Sequence, residues 1–227
     1  MISGAEWEAL RLSLRIALWS VSCSLPLALA VAWLLARRFR GRLVLDTLVH
    51  VPLVLPPVVT GYGLLLLFGV RGPLGAWLDT HLGWRLPFTS AGAALATAVM
   101  TFPLLVRSIR LSMEAVDPRL EQAARTLGAG ALDRWCTVTL PLIAPGILAG
   151  VVTAFAAGLG EFGAVITFAA NIPGQTRTLP LALYSALEAP GGEALAARLA
   201  LLSLSLGVLG LLIAELLTRR MRRWLGT

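Results

Sequence analysis

Lysine is missing from this 227-residue chain, and all 19 basic residues are arginine. A Walker A loop holds nucleotide phosphates with a lysine, so the sequence carries no such site. Any ATP-driven work then needs a partner that binds ATP and magnesium, and no cofactor is expected on this chain. Cysteine and histidine are scarce, two of each, and lack ligand spacing, which argues against a metal centre. Cys23 falls inside an apolar run and Cys136 beside a polar loop, so a disulfide between them is not expected. Charge is scarce as well, at 14% of residues against about a quarter in soluble domains. Sequence repeats and low-complexity segments are absent, including the two related halves that mark inverted-repeat carriers.

Apolar residues are what the chain has instead: 57% of it, with a mean hydropathy of +0.81. Uncharged runs cover Ile16–Ala36, Val51–Val70, Leu86–Val106 and Trp135–Gly160, and a shorter one covers Leu199–Ala214. About 20 helical residues cross a hydrocarbon core of about 30 Å. The runs predict an all-α integral membrane protein with five spans in one domain, 6–220, at about 12–36, 43–70, 87–109, 139–168 and 196–218. Glu6 and Glu8 ahead of the first run spoil the basic start of a cleavable leader.

Arginine placement orients the spans, because short cytoplasmic loops collect positive charge. Four arginines follow the first run in RRFRGR (37–42), five lie between Arg107 and Arg134, and four stand in the C-terminal TRRMRR. The expected topology has the middle loop and C-terminus in the cytoplasm and the N-terminus outside. No nucleic-acid partner is expected.

The second run is interrupted by Pro52, Pro56 and Pro57 and continues through Thr60, Gly61 and Tyr62. Prolines free carbonyls, which membrane helices tolerate against protein or a water-filled cavity. A pathway lining and a kinked packing helix both fit. The fourth run carries small residues at four-residue spacing, Gly146, Gly150, Ala154 and Gly158, a stripe that lets another helix approach closely. Beyond it, Glu161 stands near membrane depth, where a carboxylate must face protein or water. It reads as a gate group or as a hydrogen-bonded structural residue. On the outer side, Leu179–Leu187 reads as a short helix.

One polar stretch breaks the pattern: EQAARTLGAGALDRWCTVTLPL, residues 121–142, in a cytoplasmic loop spanning 111–141. Asp117 and Pro118 form a helix start. Leu120, Ala123, Ala124 and Leu127 then recur on one helical face, with Glu121, Gln122 and Arg125 pointing elsewhere. Gly128 stands where a left-handed residue ends a helix. Small side chains on the apolar face fit a close-lying partner, or packing against the chain's own membrane helices.

Gln122-Ala123-Ala124, three residues, Gly128, nine residues, and Val138-Thr139-Leu140-Pro141 resemble the EAA loop of type-1 ABC transporter permeases. Gln122 replaces the usual Glu of that pattern, with Glu121 one place earlier, and Val138 replaces Ile. The resemblance implies a type-1 permease fold and a coupling helix within Glu121–Arg134 that docks on an ATPase, with Glu121, Gln122, Ala123, Ala124, Arg125, Leu127, Gly128, Leu140 and Pro141 in the coupling element. HVPLVLPPVVTGYGLLLLFG, FPLLVRSIRLSMEAVDPRLEQAARTLGAG and LGEFGAVITFAANIPGQTRTLPLALYSALEAPGGE are together similar to bacterial molybdate permeases. That similarity implies a homodimer in the inner membrane, two cytoplasmic ATPases and a periplasmic oxyanion-binding protein. It also makes Pro56, Pro57, Thr60, Gly61, Tyr62 and Glu161, with Thr167, Asn171 and Arg177 nearer the outer mouth, candidates for the pathway or its gate. Arg177 serves either to attract anions or to dock the binding protein. A sulfate permease, an ATP-independent carrier or channel, and a nonconducting scaffold are the competing expectations.

Overall fold

The computed structural model describes residues 3–225, and the side chains of Arg220, Arg222 and Arg223 in the C-terminal basic run lie outside that description. In chain order the helices are α1 (Gly4–Ala36), α2 (Arg42–Val54), α3 (Pro57–Phe68), α4 (Pro73–Leu82), α5 (Ser90–Glu114), α6 (Pro118–Thr126) and α7 (Ala131–Arg134). A π-helical turn (Trp135–Thr139) follows, then α8 (Leu140–Leu159), α9 (Gly163–Ala169), α10 (Leu179–Glu188) and α11 (Glu193–Leu225). Among the described residues the protein is all-helical. Gly4–Ala36, Ser90–Glu114, Ala131–Leu159 and Glu193–Leu217 are long and apolar enough to cross a membrane, and α2 with α3 makes a fifth if a bent pair counts as one span.

Two of the expected spans are not continuous helices. Residues 43–70 divide into α2 and α3, which meet at 116°. Pro56 and Pro57 offer no N–H to the preceding turn, and a residue before proline is driven to extended backbone. Leu55 and Pro56 accordingly take ψ of 142° and 135°, and Pro57 opens the next helix at its first turn. Residues 139–168 break after Leu159: Gly160 and Glu161 bond back to Ala157 and Gly158, and α9 begins at Gly163. Glu161 therefore sits in the turn between two helices rather than within one. The helix α4 was not expected from the sequence, whereas α10 covers the short outer helix expected at Leu179–Leu187.

Helix starts follow local chemistry. Ser3 and Glu6 form a reciprocal capping box at α1, and the Thr89 hydroxyl accepts from Gly92 N–H at α5. Within the bundle, α1, α5 and α8 pack closely because small residues lie between them. Ala17, Ala28, Ala32 and Ala154 are wholly buried. A Cβ placed on Gly150 would stand 3.0 Å from Ser108 Cβ, one on Gly158 2.9 Å from Thr97 Cγ2, and one on Gly146 would overlap Ser112. The stripe Gly146, Gly150, Ala154 and Gly158 thus lies against α5. Ser108 uses the closeness to donate to Gly146 O across the interface at 2.8 Å.

Candidate functional site

The polar loop between α5 and α8 builds one candidate site. The Asp117 side chain accepts from Arg119 N–H at 2.9 Å and caps α6, with Pro118 at the first helical position. At the other end Gly128 takes φ +87°. Its N–H donates to Arg125 O, and Ala129 N–H donates to Ala124 O. That bond pair is a Schellman closure, which requires a left-handed residue at this position. Between the two caps no residue of α6 is buried. Leu127 is 88% exposed and Leu120 47%. Ala123, Gln122 and Arg125 are also exposed, and Ala124 is half-buried. The apolar face is therefore largely uncovered, with Ala124 its one half-buried residue.

Among the described residues one side-chain bond ties α6 to the base of α8. Thr139 donates to Glu121 Oε1 at 2.5 Å, from the last residue of the π-helical turn. Leu140 and Pro141, both exposed, continue that turn directly into α8. The wide turn has a physical cause, because Pro141 supplies no N–H and Leu140 N–H reaches back to Trp135 O instead. Glu121 and Gln122 are both exposed, and of the two Glu121 reaches Thr139.

The second candidate region lies where α3 meets α9. A Cβ on Gly61 would stand 2.7 Å from Ala164 O and 2.9 Å from Thr167 Cβ, and one on Gly163 would stand 2.7 Å from Pro57 Cβ. Glycine at both positions permits this approach. Glu161 Oε1 accepts from Ala164 N–H at 2.9 Å and holds the start of α9. Thr167 donates to Gly163 O within the same helix. Thr60 is buried, and its Oγ1 has no hydrogen-bond partner. Tyr62, two residues on, is 55% exposed and points elsewhere, and Pro56 and Pro57 are exposed.

After α9 the chain turns through Ala170 at φ 60° and ψ −168°, a region costly for any residue but glycine. The turn is held by Thr176, which donates to Ala170 O and accepts from Ile172 N–H. Asn171 donates to Ser185 on α10 at 2.7 Å and accepts from Arg177 Nε at 2.9 Å. The structure therefore brings Pro57, Gly61, Glu161 and Thr167 together around one helix crossing. It groups Asn171 with Arg177 beside it and leaves Tyr62 apart.

Sequence reading missed a charged network joining α2 to α5. Arg110 bonds Asp46 at 3.0 Å and Glu114 at 2.9 Å, Arg42 bonds Glu114 at 3.0 Å, and His50 Nδ1 stands 2.8 Å from Asp46 O. Its signal was present: Asp46 and His50, and Arg110 and Glu114, each lie four residues apart on helical segments.

The family model described as binding-protein-dependent transport system inner membrane component matches residues 24–223. The molybdenum transport system permease protein ModB of Escherichia coli (strain K12) is 52% identical over 227 residues, covering 100% of this chain and 99% of that protein. The protein of the same name from Haemophilus influenzae is 51% identical over 222 residues, covering 97% of each. Among solved structures, a bacterial alginate ABC transporter in complex with an alginate pentasaccharide-bound periplasmic protein superposes with a TM-score of 0.77. That match covers 96% of this chain and 80% of the other at 16% identity, a likeness of fold alone. With its uncovered loop helix and its several membrane-crossing helices, this chain belongs to the family of binding-protein-dependent transport system inner membrane components.

Proposed function

We propose that this chain is the membrane subunit of an ATP-driven molybdate importer in the bacterial inner membrane. In that role two copies form the translocation unit, two cytoplasmic ATPases bind the loops, and a periplasmic protein delivers the oxyanion. The chain holds no ATP or magnesium itself, in keeping with a sequence that has no lysine. Counting α2 with α3 as one span gives five. The arginine distribution then puts the N-terminus outside and α6 in the cytoplasm.

The observation that carries the reading is the uncovered apolar face of α6, capped at both ends and bonded to the base of α8 through Glu121. Docked in an ATPase groove, that helix passes motion to α8 through Thr139, and α8 passes it to α5 along the glycine stripe. The crossing of α3 with α9 is then the element whose opening admits the anion. Thr60 offers an uncommitted hydroxyl there, and Asn171 with Arg177 lies nearer the outer mouth. Substrate identity rests on the 52% full-length similarity to a molybdate permease.

The test is uptake by the complex reconstituted with its ATPase and binding protein. ATP-dependent molybdate accumulation that excess sulfate does not suppress is the expected outcome. Uptake that runs without ATP, or that prefers sulfate, overturns the reading.

A further inference from the structure

The charged network between α2 and α5 borders a cavity of about 410 Å³ lined by Asp46, Thr47, His50, Arg107, Arg110 and Glu114, with Leu111 alongside. Charge pairing inside it is unequal. Asp46 is held by Arg110, with His50 Nδ1 at 3.3 Å from its Oδ1, and Glu114 is held by Arg110 and by Arg42, which stands outside the lining. Arg107 has no carboxylate or hydrogen-bond partner among the described residues, although it lines the same cavity. The lining alone is balanced in charge, and Arg42 behind Glu114 brings the bonded network with Arg107 to one net positive charge, with the exposed Arg107 guanidinium the one left without a direct partner.

The neutral groups fit the same chemistry. Thr47 supplies a hydroxyl. His50 is close enough to Asp46 O through Nδ1 for that nitrogen to donate, which leaves Nε2 free. The network also stiffens the wall, because Arg110 is only 20% exposed and bridges two helices. The cavity lies on α2, directly after the RRFRGR segment, at the cytoplasmic end of the broken second span. On the importer reading, an anion that has passed α3 on its way to the cytoplasm would meet α2 next.

We infer that the cavity walled by Arg107, Thr47 and His50 is a transient site for a tetrahedral oxyanion at the cytoplasmic exit of the pathway. The inference rests on the importer reading above and adds a station to it. The cavity is open to solvent and larger than a single oxyanion, so the dianion enters with part of its hydration shell. A single unpaired arginine attracts such an ion, and the two carboxylates keep the binding weak enough for release. Phosphate of a lipid headgroup presents the same chemistry, so the experiment separates the two sources.

The complex, with its ATPase and binding protein, is reconstituted in phosphatidylcholine vesicles and in vesicles containing phosphatidylglycerol. Wild type, Arg107→Gln and Arg107→Lys are compared by molybdate moved per ATP hydrolysed. Arg107→Gln is expected to lower that ratio about tenfold, the scale of one lost charge-assisted contact. Arg107→Lys should restore most of it, because a point charge suffices for a tetrahedral dianion and would not replace a structural guanidinium.

Equal ratios in wild type and Arg107→Gln overturn the inference, as do equal losses in Gln and Lys. A loss confined to phosphatidylglycerol vesicles assigns the site to lipid and also overturns it. If the wild type moves another tetrahedral oxyanion and not molybdate, the substrate reading fails. The Arg107 comparison is then read on that anion.

Discussion

Replacing Gly128 with leucine separates the coupling helix from the membrane fold. Gly128 sits at φ +87°, and a Cβ built on it meets nothing within 4 Å. The penalty is therefore backbone strain without a clash, about 1–2 kcal/mol for a left-handed residue bearing a Cβ. That shifts a local equilibrium by a factor of about 5–30. The strain falls on α6, because its nine residues are fewer than the about 12–15 that an isolated helix needs, and none is buried.

Asp117 and the Schellman closure hold its ends, and the leucine variant loses the second of these. Transport by the reconstituted complex should fall by a similar factor, with insertion intact. Hydrogen exchange should quicken at the amides of α6 and stay slow in α5. Gly128→Asn, whose side chain tolerates this backbone better, should lie between the two. Wild-type uptake together with unchanged exchange in α6 would refute the reasoning.

Leu127→Glu is expected to weaken ATPase binding at least about tenfold, since burying a leucine is worth about 1.5–3 kcal/mol. The thermal midpoint of the isolated chain should not move, because Leu127 is 88% exposed; a falling midpoint with intact binding counts against the docking face. Gly150→Leu meets Ser108 Cβ at 3.0 Å and should cost about 1–3 kcal/mol in overpacking, read as a lower thermal midpoint in detergent. Gly207→Leu on α11 faces open space and should be neutral, so equal effects at the two sites contradict the packing assignment. Ala170→Gly relieves a backbone strained by about 1–3 kcal/mol and should raise the midpoint. No rise means the turn is not strained. Thr60→Val removes a buried hydroxyl without a partner, so stability should hold while uptake falls; unchanged uptake removes Thr60 from the pathway.

The coupling helix is legible in the sequence because its determinants are local. Asp117-Pro118 starts it, the Leu120-Ala123-Leu127 spacing gives it a face, and Gly128 stops it. The glycine stripe of α8 is legible for a similar reason, since four-residue spacing fixes a helix face whatever lies opposite. What lies opposite is not legible, and Ser108, Ser112 and Thr97 emerge only from the packing of α5. Geometry also bears on Gln122, which stands in place of the expected Glu. One oxygen of Glu121 accepts from Thr139 although the residue is exposed, so its carboxylate is tied to the base of α8 in a way that Gln122 is not.

The sequence by itself determined that this is a helical membrane protein without an ATP-binding lysine, carrying one capped amphipathic helix among apolar runs. Composition, helical period and capping chemistry are properties of neighbouring residues, so they can be read along the chain. Tertiary structure decided where runs break and what meets across space. Residues 43–70 and 139–168 look continuous in hydropathy, yet two prolines bend one by 116° and a glycine turn holding Glu161 ends the other. Hydropathy sums over a window and does not register the direction of the chain. The pairing of Asp46 with Arg110, 64 residues apart, and the placing of the unpartnered Arg107 beside that pair exist only once α2 lies against α5.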